Sequence, residues 1–198
     1  MATTFRRLAI TGAAGLWAAA VLAAPAAGAP GQVPPPLPVF TPAPSDWSPN
    51  FDIWPYSTFT YQVTPEMISA MSDSCQWFNA QFDPLMGQIY DVNTSLGDNH
   101  DAYSAGNVQQ QANALVANID QSTAFLAPRV QPLMIRNNPD NFGPYAPIYG
   151  AEAMTSVVFQ LSRIAESMKK QDPSGVTHAN IVAATGWGNS LRESGACN

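Results

Sequence analysis

Apolar residues recur with a helical period over four stretches of this chain. In the longest, residues 64 to 97, Met71, Cys75, Phe78, Phe82, Leu85, Ile89, Val92 and Leu96 follow one another at steps of three and four. That spacing draws one stripe along a helix. Thr64 is placed to cap it, Pro65 has no N–H to lose at the first helical position, and Gly97 suits its end. Pro84 deletes a helix hydrogen bond and clashes with the preceding turn, so a bend is expected near Ala80.

A second helix is predicted from near Ser104 to near Ala127, with a looser continuation toward Ile135. Val108, Ala112, Leu115, Ile119, Ser122 and Leu126 form its inner face. Gln109, Gln110, Gln111, Asn113 and Asn118 are assigned to its outer face. Pro128 and Pro132 predict a kink near residues 124–128. The third helix, about Ala151 to Gln171, carries Met154, Val157, Val158, Leu161, Ile164, Ala165 and Met168. Glu152 near its start and Lys169-Lys170 near its end match the helix dipole. Pro173 stops it. Ser174 is expected to cap a fourth helix, about Gly175 to Ser194, whose stripe of Ile181, Ala184, Gly188 and Leu191 is thinner. Between the second and third helices, residues 136 to 150 hold Pro139, Gly143, Pro144, Pro147 and Gly150, which forbid regular structure. Phe142, Tyr145, Ile148 and Tyr149 are expected to pin this loop to the helices. The pattern predicts an all-α fold: an antiparallel four-helix bundle with a Pro-rich, aromatic N-terminal arm and one disulfide.

The first 57 residues follow other rules. Residues 1 to 28 hold Arg6 and Arg7, an apolar run from Leu8 to Leu22, then small residues, the layout of a secretory signal peptide. Residues 29 to 57 read as a Pro-rich linker and aromatic arm, and 58 to 198 as the helical domain. Nine prolines between residues 30 and 55 favour extended polyproline or coil, so most of this stretch reads as a spacer. Seven aromatics from Phe40 to Tyr61 are more than a disordered linker carries. They read as rings packed onto the helices, with a sugar or lipid platform as the sharper alternative. Phe59, Tyr61 and Val63 alternate with polar residues, a strand-like period.

Cysteine count and charge narrow the partners. Cys75 and Cys197 are the only cysteines. In an oxidising compartment they predict one bridge across more than a hundred residues. Without Arg6 and Arg7, six Lys+Arg face fourteen Asp+Glu, a net charge of −8. A nucleic acid or an anionic membrane surface is a poor partner for such a chain. No span long enough to cross a membrane is expected after signal removal.

Catalytic patterns are missing. There is no G-x-S-x-G, H-E-x-x-H, P-loop, dinucleotide-binding glycine pattern or C-x-x-C. Asp98, His100 and Asp101 read as turn and cap residues rather than metal ligands. Asp73, Asp83 and Asp91 read as solvated charge rather than a glycosidase pair. The alanine-rich leader, the Pro-rich start and the acidic, lysine-poor helical body together resemble small exported proteins of high-GC actinobacteria, the mycobacterial type. The likeness is compositional and transfers no functional residue. The expectation is a non-enzymatic protein, secreted or held in the cell envelope, that takes no cofactor and acts through an unknown protein partner. The alternative is a carrier for an apolar small molecule, a lipid or haem, in a candidate pocket between the bent helices lined by Phe82, Met86, Phe125 and Met134.

Overall fold

The computed structural model describes residues 31–136 and 143–198. The signal peptide expected over residues 1–28 and the pinning role expected of Phe142 lie outside the described residues. Among the described residues the fold is all-helical, with no β-strand. Helix α1 spans Pro65–Trp77 and α2 spans Asp83–Asp98. Between them Phe78–Phe82 forms a wider π-helical segment, so the two make one continuous rod. Helices α3, Val108–Val130, α4, Ala151–Lys169, and α5, Ser174–Glu193, follow. The core lies where α4 meets α3 and α5, α2 meets α3 and α5, and α1 meets α3.

The local signals act largely as their chemistry requires. Thr64 Oγ1 accepts the Met67 N–H at 3.2 Å, and Pro65 opens α1. All eight residues of the long stripe, Met71 to Leu96, are buried. Ala80, where a bend is expected from Pro84, lies in the π-helical segment Phe78–Phe82. The turn after α2 departs from expectation. Gly97 sits inside the last turn, and the left-handed positions fall on His100 and Asp101, with φ of 54° and 61°. Asn99 closes the end instead, its Nδ2 donating to Ser95 O at 2.7 Å.

Two further expectations are corrected. Helix α3 begins at Val108 rather than near Ser104, because Gly106 at φ +51° and local turns occupy the preceding residues. It runs through Pro128 to Val130, within the continuation expected toward Ile135. Pro128 removes one bond of the ladder, the one to Ala124 O, and it lies in the last turn of the helix. The strand-like alternation at Phe59–Val63 folds instead as two short 3₁₀ turns, Tyr56–Thr58 and Thr60–Gln62. The Thr58 hydroxyl closes the first by donating to Pro55 O at 2.6 Å, a local bond that competes with extended backbone. Tyr61 is left 81 % exposed.

The disulfide is formed between Cys75 on α1 and Cys197, 122 residues apart. Beside it the Trp47 indole N–H donates to Ala196 O at 3.0 Å, so the arm and the C-terminus meet on α1. Phe59 packs on Tyr145 and Tyr56 on Tyr149, which ties the crossover loop to the aromatic arm. Ile135 and Tyr145 exchange backbone bonds and close the loop's base.

Candidate functional site

The proline-rich segment is seated rather than free. Residues 31–43 cross the side chains of the long rod and of α3, and side-chain amides grip their backbone. Asn107 and Gln111 donate to Gly31 O. Gln88 Nε2 and Asn118 Nδ2 both donate to Pro35 O, at 3.0 and 2.9 Å. The Leu37 N–H donates to Asn118 Oδ1 at 3.1 Å. Gln81 Nε2 reaches Pro38 O at 2.6 Å, and Gln121 reaches the carbonyls of Leu37 and Pro38. Gln76 exchanges two bonds with Ala43. From Gly31 to Ala43 the partners advance along α3 and retreat along the rod, which sets a single register.

The chemistry of this groove follows from its amides. Gln81, Gln88, Gln111 and Asn118 are each at least 96 % buried. A buried amide without a partner is costly, so these side chains require an extended chain above them. Proline suits the place. It offers a carbonyl, brings no N–H that would need an acceptor, and surrenders little freedom on binding. Pro34 and Leu37 are buried, and Phe40 packs edge-on to Phe125 at 5.1 Å. These residues recur every third position, the period of a polyproline helix, so one edge of the segment faces the groove. Pro36, Pro38 and Val39 remain exposed.

This overturns the spacer expectation for residues 31–43 and the outer-face assignment of Gln111 and Asn118. Two signals in the sequence pointed to the groove. Gln81 and Gln88, and Gln111 and Asn118, are each seven apart, two turns along one face. Pro34, Leu37 and Phe40 share a three-residue step. Helical periodicity alone counts such amides as solvated.

The other singled-out residues hold the fold. Asp73, half-buried, pairs with Arg129 at 3.0 Å, while Asp83 pairs with Arg192 at 2.6 Å and stays exposed, the solvated charge expected of it. Asp101 Oδ1 accepts the Ser174 N–H at 2.8 Å and so caps α5 from the α2–α3 turn, a role expected of Ser174 itself. Bonds to Ser174 hold the Asp101 carboxyl below its usual range. Tyr103 is buried and donates to Asp172 O at 3.0 Å. Burial, then Asp172 and Asp101, push its hydroxyl up to about 12. Among the described residues no three His, Cys, Asp or Glu side chains gather as metal ligands.

The candidate pocket residues Phe82, Met86, Phe125 and Met134 differ in burial and in the contacts they make. Phe82 and Met86 are buried in the core. The Phe82 ring stacks on Phe78 and fills the space above Gly188, where an added Cβ would stand 2.2 Å from Cζ. Phe125 is covered by Phe40 and by the Arg129 guanidinium, 3.7 Å from its ring centroid. Met134 is half-buried. Open hollows lie instead around Trp47. One of about 440 Å³ is lined by Ala43, Pro44, Trp47, Ile68, Ser72 and Asp73, among others. No helix among the described residues is long and apolar enough to cross a membrane. The chain matches no family model, no curated protein and no solved structure.

Proposed function

We propose that this chain is an exported, non-catalytic protein of the envelope or extracellular space that acts through protein contacts. The observation that carries this reading is the groove: four buried amides from two helical segments converge on the backbone of a proline-rich chain. That is chemistry for gripping a polypeptide. The acidic residues Asp73, Asp83, Asp101 and Asp120 are engaged in ion pairs or a helix cap, which supports a structural use of charge. The disulfide and the leader-like first 28 residues favour export. We propose further that α2, α3, α4 and α5 form an antiparallel four-helix bundle; the short turn between α4 and α5 and the packing of each helix on the next support it. The carrier reading needs space near Phe82, whose ring is buried, stacks on Phe78 and lies against Gly188.

The test is made in a high-GC actinobacterial host. The full chain is expressed with a photo-crosslinking residue in place of Val39, which is 81 % exposed beside the groove. A product shortened at its N-terminus, found outside the cytoplasm and yielding a discrete protein adduct, is the expected outcome. A full-length product retained in the cytoplasm, or one that gives no adduct, contradicts the reading.

A further inference from the structure

We propose that the groove is a receptor for an extended proline-rich segment of a second exported protein, with the pattern Pro-x-x-Leu-Pro, and that the chain's own arm is the competitor seated in cis. This rests on the reading that the protein acts by contacts, and names the ligand.

The groove presents mainly donors. Gln81, Gln88, Gln111 and Gln121 all offer N–H groups to carbonyls of the arm, and Asn118 does both, donating to Pro35 O and accepting from Leu37 N. Over the stretch that Pro34–Pro38 occupies, a ligand must therefore supply several carbonyls and one N–H, at the leucine. Prolines around that leucine meet the requirement, because every other N–H brought into the groove would need an acceptor. Side-chain readout is confined to the edge that faces inward, where Pro34 and Leu37 are buried. The side chains of Pro36, Pro38 and Val39 are exposed, so proline at 38 is favoured for its missing N–H and not for its ring. Recognition is thus directed at a backbone class rather than at one sequence, the mode by which preformed polyproline helices are bound. A second copy's arm would make the same contacts and lose further freedom on association. The tethered arm sees the groove at high effective concentration, so a copy gains nothing over it. A different chain gains through outward-facing contacts or repeated Pro-x-x-Leu-Pro units.

The test uses the full chain with Leu37→Asp, which weakens the seated arm, and a fluorescent peptide GQVPPPLPVFTP, the sequence of residues 31–42. Binding is read by anisotropy, with helicity and the intact disulfide as fold controls. The peptide is expected to saturate Leu37→Asp and to bind the unaltered chain about tenfold or more weakly, because the cis arm competes. Its own Leu→Asp version should fail. Adding Gln121→Ala, at a half-buried position, should weaken binding further. If Leu37→Asp does not fold, Leu37→Ala replaces it under the same criteria. Equal binding to the unaltered chain, or none to the folded variant, overturns the proposal. So does a variant that forms a concentration-dependent dimer and excludes the peptide, which is arm exchange between copies. Failure of the peptide with persistent Val39 adducts in the host leaves contact by another surface and removes only the groove ligand.

Discussion

Asn118 and Gln88 meet beneath the arm: Asn118 Nδ2 donates to Gln88 Oε1 at 2.7 Å, and both amides donate to the same carbonyl, Pro35 O. Asn118 Oδ1 also accepts the Leu37 N–H. One side chain therefore joins α2, α3 and the arm. Asn118→Leu would strand the Gln88 carbonyl and the Leu37 amide together. A buried group left unpaired costs roughly 1–3 kcal/mol, so a loss of about 2–4 kcal/mol is expected in urea unfolding. A loss under about 0.5 kcal/mol, within the range of an ordinary surface substitution, would show that the arm is not held through this residue.

Gly188 on α5 marks the close approach of the long rod. The Phe82 ring lies where its Cβ would be, with Cζ 2.2 Å away. Gly188→Ala should cost roughly 1–3 kcal/mol, the usual effect of overpacking a filled core. Adding Phe82→Leu should recover part of that loss in a double-mutant cycle. Additive losses would mean that the two positions do not press on one another.

The Cys75–Cys197 bridge closes a loop of 122 residues in sequence. Its removal by Cys75→Ser with Cys197→Ser should cost about 4–5 kcal/mol in the chain-entropy model. Trp47 reports the same event locally, because its indole N–H is bonded to Ala196 O. Tryptophan emission should shift to the red in the double variant, and Trp47→Phe should remove most of that shift. An unchanged unfolding midpoint would contradict the role given to the bridge.

Asp101 makes stability depend on pH in a defined direction. Its carboxyl is held below the usual range by the bonds to Ser174. A group with a depressed folded pKa adds stability above its unfolded pKa, about 3.9, and that contribution is lost as pH falls through the folded value. The melting temperature of the unaltered chain should exceed that of Asp101→Asn at pH 6, and the gap should close as pH falls past the unfolded value of about 3.9 and through the lower folded one. A gap that widens on acidification would reverse the assignment.

Much of the helical framework was legible because it rests on local rules. Thr64 and Pro65 mark the start of α1, and the long stripe from Met71 to Leu96 is buried. The inner faces of α3 and α4 also follow the three–four step. The groove was hidden for a physical reason. Gln111 and Asn118 are polar, and polarity signals solvent only when no chain comes to cover the residue. Burial of Asn118 depends on Pro35 and Leu37, more than 80 residues away. Capping of α5 by Asp101 is equally non-local, since the acceptor lies 73 residues before the N–H that it meets. A proline's effect on a helix depends on its place. Pro84 follows a π-helical turn whose Phe82 fills the gap, and Pro128 lies in the final turn of α3.

The central claim is that residues 31–43 are a seated segment and not a spacer. Between Pro34 and Pro38 only Leu37 has a backbone N–H, and Asn118 Oδ1 accepts it at 3.1 Å. Residue-resolved amide hydrogen exchange on the unaltered, disulfide-bonded chain reads that bond directly, with the neighbouring Val39, 81 % exposed, as internal reference. Leu37 should exchange at least about a hundredfold more slowly than an unstructured amide, which corresponds to an opening cost of about 2.7 kcal/mol. Exchange of Leu37 at the unstructured rate would show that the arm spends its time off the groove, and the account built on it would fall.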